Sequence, residues 1–223
     1  MLNIYIGYDP RETVAYHTLA HSIVSRSSIP VSIAPVMLSQ LGGLYKRQRG
    51  ATESTEFSLS RFLVPALSGF KGWSLFMDCD MLCRTDIAAL AAETAQTDKA
   101  VLVCKHDYVP KPGPKFLQKV QTAYPRKNWS SLVLFNNALC AALTPDRVNT
   151  SSGADLHRFT WLEDDSLIGA LPLEWNWLVD EYEHRREARI VHFTRGGPWF
   201  EDFKDCDYAD EWRDELKAMT HAG

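Results

Sequence analysis

Nothing in the sequence approaches the roughly 18 consecutive apolar residues that a membrane span requires. A transmembrane helix is therefore not expected, although a peripheral membrane contact is compatible with this. A surplus of positive charge is also missing. The 24 Lys and Arg residues face 28 Asp and Glu, for a net charge of -4, so no global basic field exists to hold nucleic acid. Any phosphate site must be assembled locally. Cysteine is scarce: Cys79, Cys83, Cys104, Cys140 and Cys206 are odd in number and include no Cys-x-x-Cys pair. That excludes an obvious disulfide framework or structural zinc site and favours a reducing, cytoplasmic setting. The opening MLNIYIGYDPRE reaches Asp9, Arg11 and Glu12 before a signal-peptide core could form. Repeats, low-complexity tracts and linkers are absent too, so residues 1–223 are expected to form one domain.

What is present reads as α/β. LNIYI at 2–6 is a β-rich run ended by Gly7, and Val14, Leu19 and Ile23 fall at near-helical spacing over 11–25. VSIAPVML at 31–38 completes a βαβ unit and implies a parallel sheet. A loop over LGGLYKRQRGATEST follows, then a helical face at Leu59, Phe62, Leu63, Ala66 and Leu67 that Pro65 keeps irregular. Strands are expected at WSLFM 73–77, AVLVC 100–104 and SLVLF 131–135, with an alanine-rich helix near 87–95. Residues 105–130 hold four prolines and Gly113 and are expected to leave the sheet and wall a site.

Asp78 and Asp80 end the apolar strand FMDCDML, and C-terminal strand ends are where ligands collect in an open parallel sheet. Residues two apart on a strand point the same way, about 6–7 Å apart in rise, so a bend there lets both carboxylates surround one hard cation. Such a cation could hold a diphosphate. An isolated Asp-x-Asp more often caps a strand and solvates a turn. The second element is RIVHFTRGGPW at 189–199, which sets His192 after Ile190 and Val191 and ahead of Gly196 and Gly197. A neutral imidazole can complete a metal shell, and bare glycine backbone can approach phosphates.

With these residues in place, the sequence resembles the glycogenin-like glycosyltransferases of family 8. The opening strand with YDP, SLSRFLVPAL, FMDCDML and IVHFTRGGPW match that family's elements in order. LVLFNNALC and LEDDSLIGALPLEWNWL are looser matches, so the resemblance spans nearly the whole chain. It implies a single GT-A-type α/β domain, with a mixed, mostly parallel sheet flanked by helices. It further implies manganese (or magnesium), a nucleotide-diphospho-sugar donor, most simply a UDP-sugar, and a glycan or other hydroxyl acceptor, with retention of anomeric configuration.

By position, the resemblance makes Asp78, Asp80 and His192 metal ligands, with Cys79 between them in the cofactor-binding set. Tyr8 and Asp9 would face the nucleoside and Arg61 the donor. Asn136 or Asn137 would bond the transferred sugar, and Asp164 and Asp165 would lie near the anomeric centre, unless they merely cap a helix starting near Ser166. Three positions depart from the family: Asp165 for glutamine, Gly169 for asparagine, and Gly197 for the phosphate-binding lysine. Arg195 and Lys204, beside Gly196 and Gly197, are the expected substitutes for that lysine. Trp161, Trp175 and Trp177 are expected in the core, and Trp199 as a stacking surface for an acceptor sugar. Lys105 and His106 are expected at the ligand edge, and the acidic run from Glu201 to Glu211 as a solvated face. Two rivals are a haloacid-dehalogenase-type phosphatase and a catalytically silent nucleotide-binding module.

Overall fold

The structure is a computed structural model and describes residues 1–50, 53–95, 97–109 and 125–220. Strand β1 (Leu2–Gly7) alternates, turning Leu2, Ile4 and Ile6 into the core. Asp9 caps a 3-10 turn at Pro10–Glu12 that feeds helix α1 (Thr13–Arg26), whose buried face is Ala15, Tyr16, Leu19 and Ile23. Strand β2 (Val31–Val36) then lies parallel to β1, with Leu2 opposite Val31. The expected irregular helix is a 3-10 turn, Ser60–Leu63, running into the single turn α2 (Val64–Leu67). Pro65 sits in the first turn of α2, where its missing N–H leaves no bond unmade.

Strand β3 (Trp73–Met77) and the short β4 (Met81–Cys83) follow, then α3 (Ala88–Ala92), β5 (Val101–Cys104) and β6 (Leu132–Asn136). Two short helices, α4 (Pro145–Thr150) and α5 (Gly153–His157), precede β7 (Ile168–Leu171), β8 (Trp177–Leu178), β9 (Ile190–His192) and the closing α6 (Ala209–Thr220). The main sheet has the order β2-β1-β3-β6-β5-β7, and β4-β9-β8 make a second, smaller sheet. Within the main sheet only the two pairings of β6 are antiparallel. The mixed, mostly parallel α/β fold expected from the sequence is therefore the fold observed. The expectation for residues 105–130 falls largely on 110–124, outside the described residues.

Strand β7 carries no alternation that would announce it. Its Gly169 stands opposite Leu102 of β5, and a Cβ there would lie 2.4 Å from Leu102 Cδ2. Strand packing thus accounts for glycine where the resembled family has asparagine. Trp161 and Trp175 are buried, as expected. Trp199 is a correction: its ring packs 5.7 Å from Phe193 and 5.2 Å from Trp212, centroid to centroid, in a small second core beneath α6. It fills space between strand β9 and α6 and is not a free platform.

Helix α6 is held to α1 by Glu215, buried on α6, which pairs with Arg26 and His21. Burial alone would raise the Glu215 pKa, but the hydrogen bonds from Arg26 and His21 outweigh it and leave the carboxyl below its ordinary value. A depressed carboxyl adds stability above its unfolded pKa and loses it as pH falls through the folded one. The Tm of Glu215→Gln should therefore lie below wild type at neutral pH, with the gap closing as pH drops below the ordinary glutamate range. Parallel melting curves across pH test this, and a gap that persists in acid would remove the ionised carboxylate from the account.

Candidate functional site

Chain geometry converts the Asp-x-Asp motif from a strand end into a bridge between the two sheets. At the end of β3 the Asp78 amide donates to the Ser131 carbonyl at 2.8 Å, and the chain bends through the buried Cys79. The Asp80 carbonyl then accepts from the Phe193 amide at 2.8 Å, and β4 pairs antiparallel with β9, Met81 opposite His192. That register carries His192 across some 110 residues of chain to the side of Asp80. One ligand atom from each of Asp78, Asp80 and His192 lies within 4.8 Å of the others.

Hydrogen bonding assigns the imidazole tautomer. His192 Nδ1 faces Asn176 Oδ1 at 3.0 Å, while Asn176 Nδ2 donates to Ser131 Oγ at 2.8 Å, so the Asn176 oxygen is left to accept and Nδ1 carries the proton. In the neutral ring Nε2 then presents its lone pair to Asp80 Oδ1 at 3.3 Å, and that buried oxygen receives no hydrogen bond. Two buried acceptors facing each other are unfavourable alone and suited to a cation between them. Asp78 Oδ1, also buried, forms an ion pair with the Arg61 guanidinium at 2.7 Å. Burial pushes the Asp78 pKa up to about 6, opposed by Arg61.

Arg61 is a buried strut. Its Nη1 donates to the Ser130 carbonyl at 2.8 Å, its Nε to the Ser58 carbonyl at 3.1 Å, and its guanidinium stacks 5.0 Å from the Phe76 ring centroid. Ser130 Oγ in turn bonds His157 Nδ1 at 2.7 Å. Burial, with Arg61 nearby, lowers the His157 pKa to about 3, so this histidine is neutral at physiological pH. Above the acid cluster opens a cavity of about 580 Å³, which also reaches Asn128, Ser131 and Thr194. Glu12 lies buried nearby with both carboxyl oxygens unbonded. Burial, then the charges of Asp80 and Asp9, raise its pKa well above the usual range.

Of the residues expected at the site, Asp78, Asp80, His192 and Arg61 come together at this cavity. Asn136 and Asn137 do not, because β6 runs antiparallel to β3. Asn136 pairs with Trp73 at the start of β3, about 16 Å of strand from Asp78 at roughly 3.3 Å per residue. Asn137 spends its amide on the Lys71 carbonyl and Ser74 Oγ at 2.9 and 2.8 Å. Asp164 accepts from the Ser166 amide at 2.6 Å and caps the 3-10 turn Asp165–Leu167, while the exposed Asp165 pairs with Arg126. Both lie outside the cavity lining.

Of the two residues expected to face a nucleoside, Tyr8 bonds Thr13 Oγ1 at 3.0 Å. Asp9 is fully buried. Burial opposes its ionisation, but Arg11 and the amides of Arg11 and Glu56 prevail and hold its pKa low. Cys79 is a core residue whose thiol pKa burial drives far up. In the β9 loop, Gly196 abuts the Phe203 ring and Gly197 the Trp199 ring, so their bare backbone makes room for aromatics. Arg195 is half-buried and Lys204 is exposed on Glu201, and neither lines the cavity. Lys105 is drawn to the Ile168 carbonyl at 2.7 Å and the buried His106 to Tyr182 at 2.8 Å.

Sequence reasoning passed over Asn176, Ser130, His157 and Glu12 as participants. Asn176 lies in the matched LPLEWNWL segment, but its bond to His192 spans the turn between two strands and has no local signature. Replacing Asn176 with alanine leaves the imidazole free to rotate and to change tautomer, so Mn²⁺ affinity should fall about 10–100-fold. Titration of Mn²⁺ by electron paramagnetic resonance on the folded variant checks this, and an unchanged affinity would show that Asn176 only fills space.

Comparison with solved structures places the fold in a class. The bifunctional glycosyltransferase WbbM superposes with a TM-score of 0.65 at 13% identity, over 96% of this chain and 49% of that one. The galactosyltransferase LgtC, solved with donor and acceptor sugar analogues, gives 0.59 at 12% identity, over 98% and 96%. The chain thus spans about half the length of the first and nearly all of the second, and its fold is that of the GT-A-type glycosyltransferases. No family model matches the sequence. It is, however, 50% identical to Protein CDI of Arabidopsis thaliana, over 96% of this chain and 85% of that protein. The chain belongs to the Protein CDI family.

Proposed function

We propose that this protein is a metal-dependent glycosyltransferase that moves a sugar from a nucleotide diphosphate, most simply a UDP-sugar, to the hydroxyl of a glycan or other acceptor. The observation that carries this reading is the unbonded, buried Asp80 Oδ1 facing the lone pair of His192 Nε2 at 3.3 Å. Two carboxylates and one imidazole suit Mn²⁺ or Mg²⁺. When bound, such an ion supplies charge that stabilises a departing diphosphate. Asp78, Asp80 and His192 would hold it.

The chain's own contribution is pre-organisation. Arg61 locks Asp78 against the Ser130 carbonyl, and Asn176 fixes the His192 tautomer, so the ligand set needs little rearrangement. Ser130 and the neutral His157 offer hydrogen bonds to a ligand's hydroxyl or phosphate oxygen in the same cavity. Retention of configuration is part of the proposal by resemblance. No membrane-crossing helix is found among the described residues.

A haloacid-dehalogenase-type phosphatase is disfavoured by the same geometry. Such an enzyme needs a free nucleophilic carboxylate at the end of its first strand, whereas Asp9 is committed to Arg11 and the Glu56 amide. Incubation with UDP-sugars in Mn²⁺ and in EDTA, with release of UDP followed by chromatography, tests the proposal. Metal-dependent release of UDP is expected. Phosphate release without a nucleotide sugar, or no turnover with any donor, would sink it in favour of the phosphatase or a silent module.

A further inference from the structure

The lysine that the resembled family offers a diphosphate is Gly197 here, and Arg195 and Lys204 point elsewhere. The cavity nevertheless carries two guanidinium groups beyond Arg61. Arg47 and Arg158 both line it, and neither forms an ion pair among the described residues, whereas Arg61, Arg126 and Arg185 are matched to Asp78, Asp165 and Glu174. Arg47 donates Nη1 to the Val148 and Ser151 carbonyls at 2.9 and 2.5 Å, which anchors the side chain at the end of α4 without cancelling its charge. Arg158 directly follows α5, is exposed, and makes no side-chain hydrogen bond among the described residues.

A contact chain runs from the acid cluster to the residue before Arg158. Asp78 pairs with Arg61, Arg61 bonds the Ser130 carbonyl, and Ser130 Oγ bonds His157, the neighbour of Arg158. Charge accounting then favours an anion. The cavity lining sets Arg47, Arg61 and Arg158 against Glu53, Asp78 and Asp80, so a divalent ion leaves it with an excess of two positive charges, while Arg61 stays paired with Asp78. A nucleoside diphosphate sugar brings two negative charges on its phosphates, and guanidinium is the side chain best matched to a planar pair of oxyanion oxygens.

We propose that Arg47 and Arg158 form an oxyanion site that binds a phosphate or carboxylate of the ligand and substitutes for the lysine missing at Gly197. For its ligand class this rests on the transferase reading above. Calorimetric titration of UDP, UDP-glucose, UDP-glucuronate and pyrophosphate, each with and without Mn²⁺, tests it on wild type, Arg158→Ala, Arg47→Ala/Arg158→Ala and Asp80→Asn. Melting curves verify that each variant is folded. This matters for Arg47, which also caps α4.

Arg158→Ala should weaken binding about tenfold, the scale of one charge-assisted contact. Equal losses for UDP and both sugars assign the site to the diphosphate, and a loss confined to UDP-glucuronate assigns it to a carboxylate on the sugar. Binding of all four compounds within twofold of wild type in the double variant overturns the proposal. The transferase reading fails separately if Mn²⁺ does not strengthen UDP binding. Pyrophosphate binding that survives Asp80→Asn but not Arg158→Ala would keep the oxyanion site without it.

Discussion

Asp80→Asn is expected to lower Mn²⁺ affinity on the order of 100-fold or more and to abolish metal-dependent transfer. Loss of a supporting partner alone costs roughly 10–100-fold, and this change removes a charged ligand. The carboxamide keeps the shape of the side chain but not its charge. Its amide can also donate to His192 Nε2, 3.3 Å from Asp80 Oδ1, and so satisfy the lone pair that would otherwise need the ion. The variant should therefore fold at least as well as wild type in EDTA while losing the rise in Tm that Mn²⁺ gives wild type. Melting curves in EDTA and Mn²⁺, with transfer assays alongside, read both effects. Retained turnover and a retained Mn²⁺-induced shift would remove Asp80 from the metal site.

Restoring the lysine of the resembled family, Gly197→Lys, should destabilise the protein and leave donor affinity no better. A Cβ at Gly197 would lie 2.0 Å from Trp199 Cζ3 and 2.2 Å from Cη2. The partly exposed indole already packs against Phe193 and Trp212, contacts that it would have to give up to make room. Overpacking of this kind costs about 1–3 kcal/mol, which for a chain of this size lowers Tm on the order of 5 °C. Gly197→Ala isolates the Cβ clash from the added charge and should lower Tm as well. A Gly197→Lys variant that melts like wild type and binds UDP more tightly would show that the loop accommodates the lysine and that Trp199 yields.

These two residues mark how far local sequence carries. Strands β1, β2, β3, β5 and β6 were legible because each is an apolar, β-rich run bounded by glycine, proline or polar residues, a pattern set within a few positions. The three metal-ligand candidates were legible because the Asp-x-Asp pair and the histidine each end an apolar run and fall, in order, where the resembled family has its metal ligands. Strands β4, β7 and β8 were not, because they are two to four residues long and owe their existence to partners distant in sequence. Asn136, Asn137 and Asp165 lie outside the cavity lining, which the sequence could not show, because matching a segment does not reveal which way its backbone runs or which end faces the cavity.

Composition and periodicity by themselves determined the α/β class, the absence of a long apolar span and the pair of carboxylates available to a cation, since these depend only on neighbours along the chain. Tertiary structure alone decided the rest. The antiparallel pairing of β4 with β9 set His192 beside Asp80, burial committed Asp9 to Arg11, the indole of Trp199 required glycine at 197, and the packing of α4 and α5 brought Arg47 and Arg158 to the cavity. Each of these depends on which surfaces meet in space, and strand register and side-chain volume govern that at separations no local pattern encodes.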